Sequence, residues 1–80
     1  MRLDKFLKVS RIIKRRTVAK DVCSSGKVMI NGKVAKAGSE VKENDILEIH
    51  FGDKTISAKV VMIKDNVRAN DASSLYEIIS

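Results

Sequence analysis

The sequence predicts an α+β fold: a two-helix basic hairpin packed on a small, mostly antiparallel sheet. Three observations carry this reading. Leu3, Phe6, Leu7 and Ser10 recur at helical spacing, as do Val18, Ala19, Val22 and Cys23 further on. From Lys27 the apolar period falls from helical spacing to two. Asn31-Gly32 then supplies the strongest short-range hairpin signal in the chain, since a type I′ turn needs positive φ at both central residues. Helices first and hairpin-linked strands after them is the α+β order.

The first helix is predicted from Arg2 to about Ser10. Arg2, Lys5, Lys8 and Arg11 step by three and cover the side opposite the apolar face. Asp4 stands in the first turn, where unpaired amides and the helix dipole favour a carboxylate; it serves either that end of the helix or the orientation of Arg2 or Arg16 for a ligand. Ile12 and Ile13 fall out of phase. Lys14-Arg15-Arg16 forms a cationic elbow, and a second helix starts at Arg16 or Thr17, with Val18, Ala19, Val22 and Cys23 as its apolar stripe. Gly26 stands where a left-handed C-terminal cap wants glycine.

After the helices, Val28 and Ile30 point one way and Met29 the other, and Lys33-Val34-Ala35 is the return arm of the hairpin. Lys36 to Ser39 reads as a loop, Val41 as a lone apolar residue, and Glu43-Asn44-Asp45 as a turn. Ile46 to Phe51 reads as a strand. Lys54 to Ile63 pairs with it across Gly52-Asp53. Lys64 to Ser74 reads as polar loop, and Leu75 to Ile79 as a last strand closing the sheet.

Charge is confined to one end. The first twenty residues carry Arg2, Lys5, Lys8, Arg11, Lys14, Arg15, Arg16 and Lys20 against the single acid Asp4, a net +7; the other sixty hold eight basic and nine acidic side chains, a net −1. Charge this concentrated points to a polyanionic partner, read here as RNA. Lys27, Lys33 and Lys36 extend the same candidate surface from the hairpin and loop. Arg16 stands out among these cations, because at a helix start its planar fork can grip a phosphate bidentately or stack on a base. Phe6, Phe51 and Tyr76 are the only aromatic residues, too few for the stacking platform of a single-strand binder. Recognition of structured RNA by shape and phosphate contact is therefore expected.

Composition excludes other classes. One cysteine, Cys23, rules out an internal disulfide, and with one histidine, His50, it rules out the usual zinc ligand sets. No paired carboxylates, Cys/His constellation or phosphate-cradling glycine loop accompanies His50, so no catalytic residue, metal or cofactor is expected. The longest apolar run, Val60 to Ile63, is far too short to cross a bilayer, and no apolar segment follows the N-terminal cations in the manner of a signal peptide. A cytoplasmic, monomeric, non-membrane protein with one domain over residues 1–80 is expected. A DNA-binding helix-turn-helix and a protein adaptor with an incidental basic face are the competing classes.

Arg2-Leu3-Asp4, Leu7, Arg16-Thr17-Val18-Ala19 and Gly26-Lys27-Val28-Met29-Ile30-Asn31-Gly32 together resemble the S-four RNA-binding domain, the module named after a small-subunit ribosomal protein. Lys36 and Ser39 resemble its K-x-S loop, and Asn44-Asp45 its G-D turn, with Asn44 in place of Gly. The likeness runs from Met1 to about His50 and implies the family's RNA-binding fold, followed by a short C-terminal strand extension. The remainder, including Arg68-Ala69 and Leu75-Tyr76-Glu77, resembles the stand-alone ribosome-associated members: those of ribosome-associated quality control and the small heat-shock S-four protein. That resemblance implies binding to ribosomal RNA of the large subunit and to peptidyl-tRNA on a stalled large subunit, in support of template-free tailing by an RqcH-type tailing factor. A more general role in ribosome assembly or rescue is the alternative.

Overall fold

The computed structural model describes residues 1–79. Helices α1 (Leu3–Val9) and α2 (Arg16–Ser24) precede strands β1 (Val28–Ile30), β2 (Lys33–Val34), β3 (Ile46–Phe51) and β4 (Lys54–Val60). A 3₁₀ helix (Ala69–Leu75) then leads into β5 (Tyr76–Ile78). The strands form one sheet in the order β2-β1-β3-β4-β5, every pairing antiparallel. This is the α+β architecture that the change of period predicts.

The helical face read from the sequence is the one that is buried. Leu3, Phe6, Leu7 and Ser10 are all within 1% of full burial. Ala19 and Cys23 of α2 join them, as do Val28, Leu47, Ile49 and Val60 of the sheet. Register explains the sheet's share: Val28 pairs with Ile49 and Ile30 with Leu47, so alternate residues of β1 and β3 present apolar side chains to the same face. Val18 departs from the predicted stripe. It is 41% exposed, because the face of α2 that meets the core is narrower than the run of apolar residues suggests.

Both helices end on left-handed residues, one foreseen and one not. Gly26 (φ 73°) closes α2 as predicted, with the Lys27 amide donating to the Val22 carbonyl and the Gly26 amide to that of Cys23, the two bonds of a Schellman cap. At the end of α1 the corresponding position is Arg11, at φ 62°. Its amide donates to the Lys8 carbonyl, and the Ile13 amide reaches back to Leu7 at 3.1 Å. This sharp reversal turns Ile13 inward, to 5% exposure. An isoleucine out of phase with the helix thus becomes a core residue.

The start of α1 has no side-chain cap on Arg2. Its orphan amides are met instead by the 36–39 loop: Leu3 donates to the Ser39 carbonyl at 2.8 Å and Asp4 to that of Ala37 at 3.2 Å. The Lys5 amide donates to the carboxylate of Asp4 at 2.8 Å. The amides of Leu3, Asp4 and Lys5 are thereby satisfied. The loop is itself braced, with the Lys36 amide donating to Ser39 Oγ and the Ser39 amide to the Lys36 carbonyl. Asn31 and Gly32 take positive φ, as the hairpin requires, and so does Asn44, which adopts a glycine-like conformation in its turn. Asn31 also ties the hairpin to that turn. Its side-chain amide donates to Asp45 Oδ1 at 3.0 Å and its Oδ1 accepts from the Ile46 amide at 2.9 Å.

Three predicted spans in the C-terminal third need correction. β4 stops at Val60 rather than Ile63: the Val61 amide makes one last in-register bond, to the Leu75 carbonyl, and beyond it the facing segment is the 3₁₀ helix and no longer a strand. The segment read as polar loop contains the 3₁₀ helix. Ala72 and Leu75, three apart and therefore on one side of a three-residue turn, are buried. Leu75 accordingly ends that helix, and β5 begins one residue later than predicted.

Candidate nucleic-acid interface

The cations of the N-terminal block are not spread evenly over the surface. Lys5 and Lys8 of α1, Arg11 and Lys14 of the connector between the helices and Arg16 at the start of α2 line one cleft, together with Val9. The cleft has a volume of about 250 Å³. Its far wall is Asp65-Asn66-Val67, from the irregular segment after β4. Lys5 Nζ lies 3.3 Å from Asp65 Oδ1 across the gap.

Asp4 organises the floor beside this cleft. Its side chain is 2% exposed and lies between two arginines, with Oδ1 3.3 Å from Arg2 Nε and Oδ2 3.8 Å from Arg16 Nε. Arg2 also donates from a terminal nitrogen to Asp4 Oδ2 at 3.5 Å, and both guanidinium groups are half-exposed, so each keeps donors free. Asp4 thus accepts from a first-turn amide and is ion-paired with both arginines.

Other predicted contacts are placed elsewhere. Arg15 precedes α2 as its N-cap, and Lys20 is exposed on the same helix. Lys27, Lys33 and Lys36 are exposed on the hairpin and loop, and none of them lines the cleft. Sequence reasoning did not find Asp65, Asn66 and Val67, since a polar loop nearly fifty residues beyond Arg16 carries no local pattern linking it to the helices.

Cys23 lies under this assembly, 1% exposed. Burial pushes its thiol up to about 11, with the nearby Asp4 charge adding to the effect. A thiol held neutral in this way is packing and not a nucleophile. His50 is partly buried on β3, with Nδ1 3.1 Å from Thr55 Oγ1. Among the described residues no group of three or more His, Cys, Asp or Glu side chains is arranged to hold a metal, and no helix is long and apolar enough to cross a membrane.

Comparison with known proteins bears on the same residues. The S4 domain family model matches residues 1–47, a span that includes both helices and the hairpin. A protein of Halalkalibacterium halodurans named RQC P-site tRNA stabilizing factor is 58% identical over 98% of this chain and 89% of its own length. A protein of the same name from Streptococcus pneumoniae is 55% identical, covering 100% of this chain and 91% of its own. Among solved structures, the trimeric heat shock protein 15 of Vibrio cholerae superposes with a TM-score of 0.90 at 31% identity, over 100% of this chain and 82% of that one.

Proposed function

The chain belongs to the S4 domain family, and from that premise we propose that it is a non-catalytic RNA-binding factor of ribosome quality control. It binds ribosomal RNA of the large subunit together with the peptidyl-tRNA of a stalled large subunit. By holding that tRNA in place it supports template-free tailing of the nascent chain by an RqcH-type tailing factor. It acts as a monomer in the cytoplasm.

The observation that carries this reading is the convergence of Lys5, Lys8, Arg11, Lys14 and Arg16 on one cleft. A face that was merely solvated would gain nothing from gathering five like charges, which repel one another unless a polyanion neutralises them. The names of the similar proteins supply the biological setting, and the anchored Arg2–Asp4–Arg16 group supplies a fixed grip on phosphate.

Sucrose-gradient co-sedimentation tests the proposal. The protein is expected to travel with large subunits bearing peptidyl-tRNA and to be depleted from small subunits. Binding to empty large subunits just as well would favour the assembly-or-rescue alternative. Absence from all subunits would overturn the proposal, and equal competition by duplex DNA and folded RNA would favour a DNA-binding role.

A further inference from the structure

The cleft has two walls of different chemistry, and only one of them suits phosphate. The α1–elbow–α2 wall is cationic. The opposite wall, Asp65-Asn66-Val67, offers a carboxylate, a primary amide and an aliphatic side chain. Asp65 repels a phosphate, and neither neighbour neutralises one. The same three groups do suit a base and its ribose: the amide both donates and accepts, the carboxylate accepts from amino or hydroxyl groups, and the valine packs against a ring. The side-chain amide of Asn66 is exposed and has no hydrogen-bond partner among the described residues.

The space between the walls is about 250 Å³, just under the range of small-molecule sites that starts at about 300 Å³. A single nucleotide is of that scale, and a duplex is far too wide to enter. In an A-form stem the bases are paired, and the deep, narrow major groove hides their edges from side chains. The wide, shallow minor groove does display base edges, but they lie flush with the stem and do not enter a cleft of this size, so a base lodged inside it is unpaired and turned out of its stack. Paired stem phosphates can meanwhile lie along the exposed cations outside the cleft.

We propose that the cleft between α1 and the 65–67 segment is a pocket for one unpaired, extruded nucleotide of a structured RNA, with its phosphate on the Arg11–Arg16 side and its base edge on Asn66. This rests on the RNA-binding reading and sharpens it. Shape and charge bring the protein to a stem, and the pocket selects a stem that carries a bulged nucleotide. Asp65 then acts as more than an acid in a basic region. Paired with Lys5, it closes one end of the pocket and discourages a second phosphate from entering.

The test uses two labelled RNA hairpins with the same stem, one fully paired and one with a single unpaired nucleotide, titrated with the full chain by fluorescence anisotropy. The bulged hairpin is expected to bind about tenfold more tightly, the scale of a well-made pair of base-edge hydrogen bonds. In Asn66→Ala the ratio of the two affinities should fall toward one. Tight and equal binding of both hairpins by the unsubstituted protein would overturn the pocket while leaving the RNA-binding reading in place. So would a ratio that Asn66→Ala leaves unchanged. Failure to bind either hairpin would overturn the RNA-binding reading itself, and the pocket with it.

Discussion

Asp4 Oδ2 lies 3.8 Å from Nε of Arg16, joining the first turn of α1 to the first residue of α2. The carboxylate is buried and the guanidinium half-exposed, so the pair does more to aim Arg16 than to stabilise the fold. Asp4→Asn is expected to cost about 1 kcal/mol of stability, the upper end for an ion pair whose partners are solvent-screened. Its effect on RNA affinity should be larger, because Arg2 and Arg16 both lose their anchor. Urea unfolding and RNA titration of the same variant separate the two effects.

Arg16→Ala should weaken RNA binding by about 1.5–3 kcal/mol, the scale of a hydrogen bond to a charged group. Its melting temperature should barely move, since the side chain is half-exposed. A melting temperature that drops while affinity holds would show that Arg16 serves the fold and not the ligand. Combined with Asp4→Asn, the loss should be less than additive, because both changes remove one unit.

Arg11 holds a left-handed conformation, φ 62°, that costs a residue with a Cβ about 1–2 kcal/mol. Glycine would relieve that strain. Arg11→Gly is therefore expected to leave stability unchanged or raise it by up to about 1 kcal/mol, after the extra chain entropy of glycine is counted. RNA affinity should fall, since a cleft cation is lost. Thermal denaturation beside anisotropy titration checks both signs in one preparation.

The eight cations of the first twenty residues set the salt dependence. If six of them meet phosphates, most of these along the stem outside the cleft, log K should fall against log salt with a slope of about −5 by the duplex rule. Titration from low to moderate salt measures it. A slope near zero would point to a protein partner and an incidental basic face.

Cys23 should resist thiol reagents at pH 8 in the folded protein and react once urea unfolds it. Its thiol is raised from the ordinary 9.0 to about 11 by burial and by the Asp4 charge. The unfolded chain loses this proton first as pH rises, so the fold is favoured by a neutral thiol. That contribution is fully present below about pH 9 and is lost as pH rises from there to about 11. Urea midpoints measured across that window follow the loss.

Much of the fold was legible in local pattern. The α1 core face of Leu3, Phe6 and Leu7 follows from spacing alone, because a helix must bury one side. Asn31-Gly32 marks the hairpin because few other dipeptides tolerate two positive φ angles. Gly26 marks the end of α2 for the same reason. Where local rules gave no warning, a long-range contact had overridden them. Arg11 took a glycine's place, Ile13 filled the core from outside the helical phase, and the 36–39 loop capped α1 from more than thirty residues away. The 3₁₀ helix escaped notice because two buried residues, Ala72 and Leu75, are too short a signal against a polar background.

The sequence by itself determined the helices, the hairpin, the apolar faces and the concentration of positive charge in the first twenty residues, since each depends on neighbours along the chain. The tertiary structure decided which of those charges act together. Lys5, Lys8, Arg11, Lys14 and Arg16 share a cleft because Arg11 reverses the chain and α1 and α2 pack on one core, while Lys27, Lys33 and Lys36 are left outside it. It also decided that Asp65, Asn66 and Val67 face those cations. That meeting depends on where the chain returns after β4, and packing of the whole core sets the return.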